Sequence, residues 1–303
     1  MSACPSVTVR VPASTSNLGA GFDGLGLALS LYVEVRATLT EGGIEISAEG
    51  REAEQIDRSE GNLVYQRLCA VFRQAGQPVP GVRLAIRNEI PLVRGLGASG
   101  AATIAGLLAG SVLSGADLSY DQVLRLAVAA EHHPDNVTPS LLGGFVAMAV
   151  DDGAVHYVKM PAPAELQCVL LIPSFGMKTA QAREILPAQV PLRDAVFNLS
   201  RTGLAVAAIC ARRFELLATA TQDRLHQPYR RTLFPAMERV FAAAREAGAY
   251  GAFLSGAGST ILAFSPPGRT GAVAEAMHQV AEASGLAAET MVVAADNTGA
   301  MVS

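Results

Sequence analysis

Charge is scarce in this chain, and lysine is scarcer still. Of 303 residues only 17% are Asp, Glu, Lys or Arg, against 50% hydrophobic. A sizeable core is therefore within reach, and disorder is not expected. Lysine occurs only as Lys159 and Lys178, so arginine carries nearly all the positive charge. Net charge is −4 with no basic cluster, which argues against nucleic acid as a partner. Neither lysine follows a glycine and no Gly-Lys-Ser/Thr occurs, so a Walker A phosphate loop is excluded. Cys4, Cys69, Cys168 and Cys210 are far apart and show no metal-ligand spacing. Neither a zinc site nor a disulfide framework is indicated. The start, Met1-Ser-Ala-Cys-Pro-Ser6, has no charged segment leading into an apolar run, so no signal peptide is expected. The longest uncharged stretch, 95–116, is long enough to span a bilayer. It opens on a turn and is rich in Gly, Ser and Thr, so a buried helix fits it better. A soluble cytoplasmic protein with no membrane partner follows. There is no internal repeat and no low-complexity tract.

What is present centres on Pro91-Leu-Val-Arg-Gly-Leu-Gly-Ala-Ser-Gly-Ala101. A strand-like stretch, 82–87, precedes this glycine-rich turn, and an uncharged helical run follows it. Such a turn gathers backbone N–H groups on one point, and the helix adds its free N–H groups and positive dipole end. That makes an anion site, most naturally a phosphate cradle. The plainer alternative is a helix start that needs glycine only for packing. GxGxxG occurs here at Gly95–Gly100 and earlier at Gly19–Gly24. The earlier copy runs into a strand pattern, and the later one lacks a following strand with a ribose-binding carboxylate. A dinucleotide fold is therefore set aside.

Along the chain, Val7–Val11 reads as a strand and 12–26 as a long loop. A strand pattern follows at 27–39, then an acidic, solvated stretch at 41–60. Asn62 is an N-cap for a helix from Leu63 to about Ala75. Ser119 and Gln122 form a capping box for a helix from Tyr120 to about His132, and Pro134 ends it. Strands follow at 142–150 and 155–160, and Pro161-Ala-Pro163 is the linker candidate. Beyond it come a buried strand (166–172), helices near 191–212, 213–221 and 235–247, and strands at 250–254 and 260–264. A helix (269–283) and a strand (289–294) complete a βαββαβ-like order, which implies an α+β sandwich.

Glu131 falls in the last turn of its helix, where the dipole disfavours a carboxylate by about 0.3–1 kcal/mol. A divalent cation would explain it, since Mg²⁺ is typically held by one or two carboxylates plus substrate phosphates, and Ser99 could add an oxygen. An exposed glutamate pairing with an arginine would explain it equally. His132 and His133 are adjacent and cannot both face one metal, so zinc does not fit. The segment 132–136 is either turn chemistry or a substrate-gripping loop. Arg183 and Arg230 lie in polar segments and are suited to forking a carboxylate, or to plain surface roles.

Taken together, these segments resemble the GHMP kinases over nearly the whole chain and in order. The carriers are Val9-Arg-Val-Pro-Ala-Ser-Thr-Ser-Asn-Leu-Gly-Ala-Gly-Phe-Asp23, Pro91–Ala101 and Leu254–Thr260. Ser16–Asp23, His133–Asn136, Thr179–Pro187 and Gln227–Arg230 point to the branch of the family whose acceptor is L-homoserine. The resemblance implies a two-domain α/β (α+β) fold. Residues 1–163 would form an ATP-binding domain like ribosomal protein S5 domain 2, and 164–303 a ferredoxin-like α/β sandwich. It also implies ATP-dependent phosphorylation of the homoserine side-chain hydroxyl. Asn17, Asp23, His133, Asp135, Arg183, Arg230 and Gly256 would surround the amino acid, with Asp23 suiting its ammonium. Asn136 and Arg183 would polarise the attacking hydroxyl or the transferred group. Ser99 and Glu131 would hold Mg²⁺. Pro91, Leu92, Val93, Arg94, Gly95, Leu96, Gly97, Ala98, Ser99, Gly100 and Ala101 would cradle ATP, with Asn62 near the adenine. A homodimer is a family expectation. No dedicated catalytic base is expected in this branch. Three positions depart from the family pattern: Ala98 for serine, His132 for glycine and Ser259 for proline. The alternatives are a GHMP kinase for mevalonate or a sugar, and a non-catalytic ligand sensor on the same fold.

Overall fold

The computed structural model describes residues 5–303; Cys4 and the start read above for a leader lie outside the described residues. In chain order the N-terminal half comprises β1 (Ser6–Ser16), β2 (Leu25–Thr40), β3 (Ile44–Gly50), α1 (Leu63–Gln74), β4 (Gly81–Asn88), α2 (Ala98–Ser114), α3 (Tyr120–Glu131), α4 (Val137–Leu142), β5 (Phe145–Asp151) and β6 (Ala154–Met160). The C-terminal half comprises β7 (Gln167–Pro173), α5 (Thr179–Glu184), α6 (Leu192–Cys210), α7 (Leu217–Ala220), α8 (Gln227–Arg230), α9 (Met237–Glu246), β8 (Gly251–Leu254), β9 (Ile261–Ser265), α10 (Thr270–Ala283), β10 (Ala288–Val293) and β11 (Met301–Val302).

Seven strands make the first sheet, in the order β11-β1-β2-β4-β3, with β5 pairing β2 and β6 beside β5. Helix α1 buries Val64, Leu68, Val71 and Phe72, the i, i+4, i+7, i+8 face of an amphipathic helix. It packs on α2 (the uncharged run), whose Gly106 and Gly110 allow a close approach. A Cβ on Gly106 would lie 2.4 Å from the Val64 carbonyl oxygen, and one on Gly110 would lie 2.9 Å from that of Leu68.

The second sheet is antiparallel, in the order β10-β7-β9-β8, which is the order of a ferredoxin-like sandwich. Its strand β7 is buried on both faces, as a continuous apolar run implies. Val169 and Leu171 face α9 and α10, packing with Met237, Val240, Phe241, Val273 and Met277. Cys168, Leu170 and Ile172 face the other way, into a core shared with α6, α7 and the first sheet. Burial pushes the Cys168 thiol up to about 12, so it stays an inert core group. The described cysteines Cys69, Cys168 and Cys210 are free.

Three expectations are corrected. The stretch 12–26 is not all loop, because β1 continues to Ser16 after a register shift at Pro12/Ala13 and pairs Ala13–Ser16 with Leu29–Gly26. These residues are small and fully buried, so polarity here reflects close packing, not solvent. The acidic stretch 41–60 contains β3, which runs parallel to β4. Ile44, Ile46 and Ala48 alternate inward while Glu45 and Glu49 point out, a period of two that the overall acidity concealed. Strand β5 starts at Phe145 rather than Leu142, because α4 occupies 137–142 and left-handed Gly143 and Gly144 follow. The chain end crosses back to the first sheet. Asn297 makes two hydrogen bonds with the Ala162 backbone, at 2.8 and 3.0 Å, and β11 pairs with β1. Among the described residues no helix is long and apolar enough to cross a membrane.

Candidate active site

The glycine turn is held from three sides. Leu96 accepts the Ser14 N–H at 3.1 Å, and Arg94 accepts that of Thr260 at 3.1 Å. Gly95 accepts the Ser255 hydroxyl at 2.6 Å. The Arg94 guanidinium is spent on carbonyls of Leu92, Pro173 and Ser174, so it ties the turn to β7. Gly97 is the N-cap of α2, with φ 70° and no side chain to satisfy the helix N–H groups. A Cβ there would lie 2.1 Å from Ser14 Oγ. The first N–H bonded within the helix is that of Ala101, to Gly97 at 2.8 Å. The unpaired N–H groups before it are an anion site.

A cavity of ≈ 490 Å³ opens on this site. Leu92 to Ser99 line it, as do Asn62, Asn88, Ile56 and Lys178. Pro91, Gly100 and Ala101 do not line it. Ala101 turns into the core with no exposure, and Gly100 lies against Asn136 and Val137, as the first helical turn rotates them away. Asn62 caps α1, accepting from Tyr65 N–H at 3.2 Å and donating to Asp57 O at 2.6 Å, so it forms wall more than it offers free groups.

Glu131 ends α3 beside this helix start. Its carboxylate accepts the hydroxyls of Ser99 and Thr103, each at 2.8 Å. These hydroxyls are one turn apart on one face of α2. The set is all oxygen and carries one carboxylate, which fits a hard cation that takes its other ligands from phosphates and water. His132 adopts the left-handed conformation (φ 65°) that glycine takes most easily, so the turn is kept without the glycine. Ser259 donates to Phe175 O at 2.5 Å.

A second, much smaller cavity of ≈ 20 Å³ adjoins the first. Asn17, Asp23, His133, Asp135, Asn136, Arg183, Arg230 and Gly256 all line it, brought together from across the whole chain. His133, Asn136 and Thr179 line both cavities. Arg183 forks Asp23 at 2.6 and 3.1 Å. Burial works against the Arg183 charge, but its bonds to Asp23 outweigh that and raise its pKa above the ordinary value. His133 Nδ1 lies 2.9 Å from Asp135. Burial would lower that imidazole, yet the Asp135 carboxylate raises it overall. Arg230 is 1% exposed, and burial together with Arg183 lowers it to about 10, still protonated at neutral pH. Asn17 is engaged in scaffolding: it accepts the Asp23 N–H and donates to Gly256 O, both at 3.0 Å. Ser14 donates to Asn136 Oδ1 at 3.2 Å, which turns the amide NH₂ away from Ser14.

Sequence reasoning missed Thr103, Ser14 and Thr179. Thr103 was within reach, being four residues after Ser99 on an expected helix. Ser14 and Thr179 stand inside quoted motifs, but only the packed chain shows that Ser14 bonds Asn136 and that Thr179 lines both cavities.

Two family models match, GHMP kinases N terminal domain at residues 62–144 and GHMP kinases C terminal at 205–283. The chain belongs to the GHMP kinase family. It is thus an ATP-dependent phosphotransferase acting on an alcohol group. A homoserine kinase of Carboxydothermus hydrogenoformans is 42% identical over 295 residues, 97% of this chain and 96% of that one. One of Nostoc punctiforme is 43% identical over 301 residues, 99% of each chain. The crystal structure of homoserine kinase from Cytophaga hutchinsonii superposes with a TM-score of 0.88 at 30% identity, covering 98% of this chain and 97% of that one.

Proposed function

We propose that this GHMP kinase transfers the γ-phosphoryl group of ATP to the side-chain hydroxyl of L-homoserine, giving O-phospho-L-homoserine for threonine biosynthesis in the cytoplasm. The observation that carries the reading is the second cavity, which sets two guanidiniums and two carboxylates, Asp23 and the His133-bound Asp135, beside the nucleotide cavity. Asp23 suits the acceptor's ammonium, while Arg183 and Arg230 suit its carboxylate. Full-length likeness to homoserine kinases supports the same acceptor. Mevalonate and sugars lack an ammonium, so neither could replace Arg183 at Asp23 with a cation of its own. A silent sensor would have no use for a carboxylate bonded to two hydroxyls beside an open helix start.

Phosphoryl transfer asks the protein for alignment and charge neutralisation more than covalent chemistry. The N–H groups at the start of α2 hold the donor's phosphates. Glu131 and Ser99 would hold Mg²⁺, with Thr103 orienting Glu131; when bound, the ion neutralises charge on the transferred group. The acceptor oxygen bonds to the γ-phosphorus and passes its proton to an oxygen of the transferred phosphoryl group, the bond to the β–γ bridging oxygen breaks, and ADP departs. Asn136, at the junction of the cavities, and Arg183, in the second, would polarise the attacking hydroxyl or the transferred group. A cavity of ≈ 20 Å³ holds about one water molecule, so entry of the acceptor separates Arg183, on α5, from Asp23. The division into units 1–163 and 164–303 is part of this reading, with the last residues returning to the first unit.

A coupled ADP-release assay with Mg-ATP tests it, comparing L-homoserine with mevalonate, galactose, L-threonine and L-serine. Turnover should be confined to L-homoserine and be lost in Glu131→Ala. Turnover on mevalonate or galactose instead would discard the roles given to Asp23 and the arginines.

A further inference from the structure

Directly behind the acceptor cavity stands an imidazole that nothing above uses. His226 has no exposed surface, and each of its ring nitrogens meets a partner with a single possible role. The Gly19 carbonyl, 2.7 Å from Nε2, can only accept, so Nε2 carries the proton. Arg230 Nη1, 3.1 Å from Nδ1, can only donate, so Nδ1 is bare. The ring is therefore neutral and in one tautomer.

Both partners belong to the acceptor site. Gly19 sits in the 17–24 turn that presents Asp23, and the Phe22 ring stacks on His226 at 5.2 Å. Arg230 directs Nη1 also to Gly256 O at 2.9 Å, and Nε to Ala182 O at 3.2 Å. Its Nη2 has no hydrogen-bond partner among the described residues, which leaves that end for an acceptor carboxylate. The ring itself is fixed from behind. Asp223 accepts the backbone N–H groups of Leu225, His226 and Gln227 and the Asn198 amide.

We propose that His226 is a positioning residue for acceptor recognition, holding Arg230 through Nδ1 and the Asp23 turn through Nε2. The inference rests on the acceptor reading above. The charged groups facing the ring are Asp223, Arg230 and Asp23; burial outweighs the carboxylates and lowers its pKa, which keeps Nδ1 free to accept.

Two conservative variants separate the two bonds. Asparagine places an oxygen where Nδ1 stands and keeps the hold on Arg230. Glutamine places its amide where Nε2 stands and loses it. His226→Gln should raise the homoserine KM about 10- to 100-fold, the effect of leaving a buried charged donor unpaired. The ATP KM and kcat should stay within about 3-fold, and His226→Asn, which keeps Arg230 but gives up the Gly19 carbonyl, should raise the homoserine KM by less than His226→Gln. Equal KM values for the two variants would overturn the proposal, as would a fall in kcat with a shifted ATP KM. A second readout needs neither variant to fold nor the acceptor to be homoserine. In ¹⁵N-histidine-labelled wild type, with five histidines to assign, the buried ring should show a bare Nδ1 and a protonated Nε2 at neutral pH. A proton on Nδ1 would refute it. Failure of homoserine turnover in wild type would count against the acceptor reading and leave the nitrogen assignment as the test of this one.

Discussion

Asp23 and Arg183 are already paired with each other across 160 residues of sequence, in a two-bond fork. Both are about a third exposed, so solvent screens the pair and it contributes little to stability. That suits a site whose charges must be given up to a ligand. Under the proposed acceptor role, an entering amino acid would exchange one ion pair for two of its own, its ammonium replacing Arg183 at Asp23. Asp23→Asn should therefore raise the homoserine KM about 10- to 100-fold, the loss of one charged hydrogen bond. The value of kcat should be nearly unchanged, as steady-state kinetics would establish. A large loss of kcat at constant KM would assign Asp23 the role of a base instead.

At the scale of elements, the nucleotide site is the meeting of α2 with β1, α3 and the 255–259 turn. Gly97→Ala is expected to weaken ATP binding at least about 10-fold in a calorimetric titration. The new methyl needs a left-handed backbone costing roughly 1 kcal/mol or more, and it would lie 2.1 Å from Ser14 Oγ. Wild-type affinity in that variant would show that the turn has room to move. Thr103→Val removes one of two hydroxyls on Glu131 while keeping the shape of the side chain. The Mg²⁺ concentration for half-maximal activity should rise about 10-fold, the usual cost of losing an outer partner of a metal ligand, with the homoserine KM unaffected. An unchanged Mg²⁺ requirement would remove Thr103 from the site.

Across the whole molecule, burial of His226 ties stability to pH. Its folded pKa is depressed, whereas the unfolded chain titrates near 6.5. The neutral buried ring therefore contributes fully above about pH 6.5. Its contribution is lost as pH falls below that value toward the folded pKa, at up to about 1.4 kcal/mol per pH unit. His133 works in the opposite sense: its pKa is raised, so its contribution is full below about 6.5 and is lost as pH rises through the folded value. Thermal unfolding at pH 7.5 and 5.5 should show a smaller acid loss in His226→Asn than in wild type. Equal losses would mean that the ring accepts a proton in the folded state.

The sequence by itself determined the glycine turn, the helix caps at Asn62 and Ser119, the order of strands in the second half and most of the residues that line the second cavity. Each of these is written locally, in turn chemistry, a repeat of apolar residues or a contiguous motif. Only the tertiary structure decided that Arg183 forks Asp23, that Thr103 shares Glu131 with Ser99, that β1 runs on through Ser14 into the wall of the site, and that His226 fixes Arg230. It also returned the chain end to the first sheet through Asn297. These contacts join residues 4 apart at His226–Arg230, 28 apart at Thr103–Glu131 and 160 apart at Asp23–Arg183. The physical reason is that a hydrogen bond's partner depends on which backbone packing brings near, and a side chain's type fixes only what it can donate or accept.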